Sequence, residues 1–171
     1  MIDEFAIPYW EYKMIVAIKA GNYADIVLVV RKKQPAPPNR SLFAKLKRNI
    51  NVLLFKLYLK AENRFSKPEP DAFEEKDLRD LIQGVPVIET ACIEKKFSDY
   101  LPEEDIRAIS GYNVDVFIRM GFRILRGDIL KAAKFGIWSY HHGDNHLYRG
   151  GPAGYWEYLK REKQVGSVLQ I

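Results

Sequence analysis

The chain has 171 residues, 47% apolar and 29% charged, which suits one globular domain with a sizeable core. No apolar run approaches the ~20 residues needed to cross a bilayer, and Met1–Pro8 lacks the basic start and apolar core of a signal peptide, so neither is expected. The net charge of +5 implies only mild anion attraction, and the single cysteine, Cys92, excludes an internal disulfide and fits a cytoplasmic setting.

Met1–Phe5 reads as the tail of a strand. Tyr9–Ala20, after Pro8, carries Trp10, Met14, Ile15 and Ile18 at helical spacing, and Gly21–Asn22 is a good stop. Ala24–Val30 is β-branched and nearly continuous, the pattern of a strand buried on both faces. Such a strand–helix–strand opening is normally parallel and right-handed. Lys32–Asn39, with three prolines, is a loop, and Ser41 can cap the helix that follows. There Leu42, Leu46, Ile50, Leu53, Leu54 and Leu57 form a stripe, and Lys45, Lys47, Arg48, Lys56, Lys60 and Arg64 decorate the rest. The stripe is expected to pack on the sheet or another subunit. Contact of the basic face with nucleic acid or an anionic membrane is the lesser reading.

Lys67–Pro70 is an extended linker, Asp77–Ile82 a short helix and Val85–Ile88 a short strand. Pro102 and Glu103 open a helix through Ile109. Val114–Met120 reads as a strand, Gly121–Leu125 as a turn, Asp128–Lys134 as a helix stopping at Phe135–Gly136, and Ile137–Tyr140 as the next strand. Helix Gly154–Glu162 and strand Val165–Ile171 complete the chain. Ragged strands at both termini imply a segment of a longer protein, and the unpaired edges of a truncated sheet favour self-association.

All three histidines lie in His141–His146, with Asp144 and Asn145 between them and Arg149–Gly150 just after. A polar, titratable loop at a strand end is where open α/β sheets place their chemistry. Metal binding by His141, His142, His146 and Asp144 is disfavoured: the spacing matches no metal signature, and neighbours on a strand point to opposite faces. Two readings stay level on the residues alone. A histidine at a strand end can stabilise a developing oxyanion, or these side chains can satisfy backbone groups in a tight loop.

Val114–Ile171 resembles the catalytic half of the folate-dependent formyltransferases, which act on methionyl-tRNA, glycinamide ribonucleotide or amino sugars. The family motif Asn-x-His-x-Ser-Leu-Leu-Pro-x-x-Arg/Lys-Gly falls without a gap on Ser139, His141, Arg149 and Gly150. Val165–Val168 resembles the family's Thr-Gly-Val-Thr strand, and Ile7–Val30 its first helix and second strand. The likeness is weak from Lys32 to Tyr112. It implies an α/β, Rossmann-like, open and mostly parallel sheet with flanking helices, in one domain over 1–171. Within it 32–84 is divergent, with a helical insertion around 41–64.

The resemblance implies formyl transfer from 10-formyltetrahydrofolate to a small-molecule amine, with no metal and no nucleic-acid partner expected. It makes His141 the polarising acid and assigns Met120, Gly121, Phe122, Arg123 and Ile124 to the pterin site. Arg149 and Gly150 would meet the acceptor. The motif asparagine is Ser139 here, and losing one oxyanion donor typically costs ~10²–10³ in rate. Asn145 or His146 is a candidate replacement donor. Gly143 stands for the motif serine, and Asp144–His146 for Leu-Leu-Pro. The family's supporting aspartate is expected just beyond Ile171, so little or no catalysis is expected from these residues alone. The alternative is a catalytically degenerate domain of the same fold, used for binding or assembly.

Overall fold

The computed structural model describes residues 1–34, 52–65, 70–144, 146–148 and 154–171. It is mixed α/β, with four α-helices and several small sheets among the described residues. β1 (Ala6–Pro8) runs straight into α1 (Tyr9–Ala20), because Pro8 adopts the extended conformation of an N-cap (φ −56°, ψ 146°). The Gly21 N–H closes α1 on the carbonyls of Ala17 and Ile18. β2 (Val29–Lys32) follows, and α2 (Leu53–Phe65) is the next described element.

β3 (Glu75–Asp77) pairs antiparallel with β1, and β4 (Val87–Thr90) pairs parallel with β2. β5 (Ile93–Lys95) and β6 (Ser98–Tyr100) form a hairpin before α3 (Glu103–Ser110). β7 (Phe117–Arg119) leads to β8 (Ile124–Arg126), which pairs parallel with β6. β9 (Ile137–His142) is parallel to β7 and antiparallel to β10 (Ser167–Gln170), with α4 (Tyr155–Leu159) between β9 and β10 in the chain.

Met1 and Ile2 join two ladders. The Ile2 N–H donates to Val30 O at 2.9 Å, and Lys32 N–H donates back to Ile2 O at 2.9 Å. On the other edge Met120 N–H donates to Met1 O at 2.9 Å. Side chains alternate across this sheet. Met1, Val30, Phe117 and Ile137 enter one core with Ile109, Leu125 and Ile129. Ile2 and Val29 enter the opposite core with Ile7, Ile15, Leu78 and Ile82. Burial on both faces accounts for Val29 and Val30, whereas Val27 just before them is 45% exposed.

Several expected boundaries move. The strand expected at Ala24–Val30 is Val29–Lys32, because its partner begins only after Pro86, whose carbonyl takes the Val29 N–H at 2.9 Å. β2 runs on through Lys32 because Glu94 and Asp99 meet its charge at 2.8 and 2.9 Å. The Val114–Met120 strand narrows to β7, whose ladder starts where Phe117 N–H meets Gly136 O at 3.1 Å. Val85–Ile88 shifts to β4. The helices expected at Asp77–Ile82 and Asp128–Lys134 are single 3₁₀ turns, Arg79–Ile82 and Asp128–Lys131. The β5–β6 hairpin escaped the sequence reading, and β8 takes up residues expected in a turn. Gly154–Glu162 contracts to α4.

Ser41, the first part of the basic helix and Lys67–Glu69 lie outside the described residues. The described part, α2, does not pack its stripe on the sheet: Leu53, Leu54 and Leu57 are 50%, 82% and 54% exposed. No helix among the described residues is long and apolar enough to cross a membrane.

Candidate functional site

β9 carries the histidines further into the sheet than expected. His141 and His142 are its last two residues, in register with Val168 and Ser167 of β10. Neighbours on a strand face opposite ways. His142 turns toward α1, where its ring meets Trp10 edge-on at 5.5 Å and Tyr140 at 4.7 Å. His141 shares a face with Ser139 and the buried Ile137. Its Nε2 is buried and has no hydrogen-bond partner among the described residues. His146 is exposed, and its backbone N–H donates to Asp144 Oδ1 at 2.7 Å, closing a tight turn. Asp144 thus serves the loop, and His141 and His142 leave the sheet on opposite faces.

Ser139 sits across from Arg119 in the β7–β9 register. Arg119 Nε donates to Ser139 Oγ at 3.0 Å, and Nη2 donates to the same oxygen. Nη1 donates to the carbonyls of Phe122 and Arg123, each at 3.0 Å. Burial lowers the Arg119 pKa, yet a guanidinium keeps its charge at neutral pH. A fixed cation therefore stands two residues along the face from His141.

The turn after β7 is tightly made. A Cβ on Gly121 would stand 2.4 Å from the Asp3 backbone nitrogen, so glycine is required there. Phe122 is buried with φ +65°, and its N–H donates to Asp3 Oδ1 at 2.7 Å. Met120 packs against the core beneath α1. Arg123 is committed to an ion cluster, its Nε on Asp99 Oδ1 at 2.9 Å and its Nη2 3.2 Å from Glu94. Ile124 is 53% exposed and belongs to the β6–β8 ladder. Met120–Phe122 thus stand together at the carboxyl end of β7, while Arg123 and Ile124 turn to the neighbouring ladder. Asn145, Arg149 and Gly150 lie outside the described residues.

Sequence reasoning missed Glu157. It is 3% exposed, and its Oε1 is buried without a partner among the described residues. That oxygen lies 3.8 Å from where a Cβ on Gly143 would stand. Gly143 itself has φ +106°, a conformation that favours glycine over the serine of the family motif. Two residues past His141, then, the strand end meets a buried carboxylate. An unpaired buried polar atom is costly, and both His141 Nε2 and Glu157 Oε1 are in that condition. Cys92 offers no competing nucleophile, since burial pushes its thiol up to about 11.

No family model matches the chain, and no curated protein matches it.

Proposed function

We propose that this chain is the formyl-transfer core of an enzyme that moves a formyl group from 10-formyltetrahydrofolate to an amine. The observation that carries the reading is the buried, unpartnered Nε2 of His141 at the carboxyl end of β9. The sheet supports it. Followed through Met1–Ile2, the strands run β4, β2, Met1–Ile2, β7, β9, β10. Numbered along the chain, these strands follow the order 3-2-1-4-5-6, which is that of doubly wound sheets except that β10 is antiparallel; such sheets bind ligands outside the carboxyl ends at the switch point. Here that point lies between Ile2 and β7, beside Gly121.

In this reading the acceptor amine attacks the formyl carbon. Negative charge develops on the formyl oxygen, and His141 meets it from one side. Arg119, held through Ser139, supplies the cation that the motif asparagine would replace with an amide. Glu157 takes the proton released by the attacking nitrogen. The folate nitrogen leaves with a proton, and the products are a formamide and tetrahydrofolate. A single, half-buried cysteine, Cys92, suits a reducing compartment, and the proposed setting is the cytoplasm.

The test is calorimetric titration with 10-formyltetrahydrofolate, together with mass-spectrometric detection of formylated amines. Binding that weakens in His141→Ala supports the reading. No folate binding, with His141→Ala indistinguishable from the unmodified chain, refutes it. One observation favours a degenerate binding domain instead: Ser139 Oγ is already engaged by Arg119. Ser139→Asn separates the two, since formylation that appears only in this variant means that the native site binds without turnover.

A further inference from the structure

α2 stands apart from both cores. Leu54, Leu57, Tyr58, Ala61 and Phe65 follow the i, i+3, i+4, i+7, i+11 spacing of one helix face. Their large members are all exposed: Leu54 and Phe65 at 82%, Tyr58 at 60%, Leu57 at 54%. Phe55 and Leu59 widen the apolar arc beyond a two-position coiled-coil seam. Lys56, Lys60 and Arg64 recur every fourth residue, winding from the back of the helix to one edge of this face. The only acid in the helix, Glu62, accepts a hydrogen bond from Tyr58. No Asp or Glu occurs in the sequence between Asp25 and Glu62.

A soluble chain gains nothing by leaving so many large apolar side chains in water, so the face must have an occupant. Charge selects among the candidates. A second copy of α2 would set like charges near one another with almost no acid to compensate them. An anionic bilayer satisfies both features. Its acyl boundary takes the apolar arc, and its headgroups meet the lysine and arginine flank, whose long stems reach outward.

We propose that α2 is an interfacial helix that docks this protein on a negatively charged membrane surface, lying in the headgroup plane rather than crossing. The inference is independent of the formyl-transfer reading.

Vesicle flotation of the full chain tests it, with phosphatidylcholine vesicles alone and mixed with phosphatidylglycerol, at low and high salt. The protein should float with the anionic vesicles at low salt and release at high salt. Leu54→Glu with Leu57→Glu should abolish flotation. Both side chains are solvent-exposed, so circular dichroism should report an intact fold. Lys60→Glu with Arg64→Glu should lower partitioning by at least about 30-fold, each lost cation near the surface weakening it several-fold. Three results overturn the proposal: no flotation with anionic vesicles at low salt, equal flotation with neutral and anionic vesicles, or a dimer in light scattering that the Leu54/Leu57 variant dissolves.

Discussion

Asp99 anchors the ground on which the candidate site stands. Its side chain is fully buried, and its two oxygens receive four donors. Lys32 Nζ and the Arg123 N–H approach Oδ2, each at 2.9 Å. Arg123 Nε and Nη2 approach Oδ1 at 2.9 and 2.8 Å. The carboxylate thereby ties the end of β2 to the turn after β7. Asp99→Asn keeps the volume, removes the charge and turns two hydrogens toward these donors. Removing one partner of a buried ion pair costs ~3–5 kcal/mol. Lys32 retains Glu94 at 2.8 Å, so the expected loss is near the lower end, about 3 kcal/mol. Urea unfolding at neutral pH measures it. Lys32→Met in the Asp99→Asn background should restore most of the loss, since an apolar replacement of a whole buried pair is often neutral. The pH dependence is a second check. Burial acts to raise the Asp99 pKa, but hydrogen bonds from Arg123 and Lys32 outweigh it and hold the carboxyl below its usual range. A depressed folded value means stability present above the unfolded value and lost as pH falls through the folded one. Asp99→Asn should therefore flatten part of the acid limb. A loss under about 1 kcal/mol, or additive effects in the double variant, would refute the reasoning.

Glu11 acts in the opposite sense. Burial pushes its carboxyl up to about 7, against the pull of the Met1 amino group and with help from Asp3. A raised value gives stability that is lost as pH climbs through about 7. Glu11→Gln should remove that decline and stabilise the chain above neutrality by an amount on the order of 2 kcal/mol; an unchanged Tm-versus-pH profile would contradict this. Gly121→Ala must displace the Asp3 backbone, which predicts a destabilisation of ~1–3 kcal/mol in denaturant unfolding and, on the proposed function, weaker folate binding. A neutral outcome would mean that the turn yields easily. If the proposed function holds, Glu157→Gln should leave folate affinity nearly unchanged and Tm no lower, while formyl transfer falls by roughly 10²-fold, the scale of a general base. A fall in Tm with unaltered turnover would assign Glu157 to the framework instead.

The histidine cluster was legible as a site candidate because all the imidazoles fall in six residues beside a strand. Its division was not. Whether His142 joins Trp10 and His141 faces the Ile137 core depends on how far β9 extends, and that is set by pairing with β10. Glu157 and Arg119 were missed for the same reason. A glutamate in an amphipathic helix and an arginine in a strand carry no local mark of burial.

Local chemistry alone determined α1, which runs from Pro8 to Gly21, and α3, which follows Pro102, because caps and proline geometry act within a few residues. The two-sided burial of Val29 and Val30 was readable from the nearly continuous β-branched run Ala24–Val30, although the first residues of that run lie outside β2. Tertiary structure decided where each strand begins and ends, because a ladder exists only where its partner does. It also decided which charges are buried. Lys32, Asp99 and Arg123 are far apart in sequence, and only the fold brings each the counter-charge that makes a buried ion tolerable.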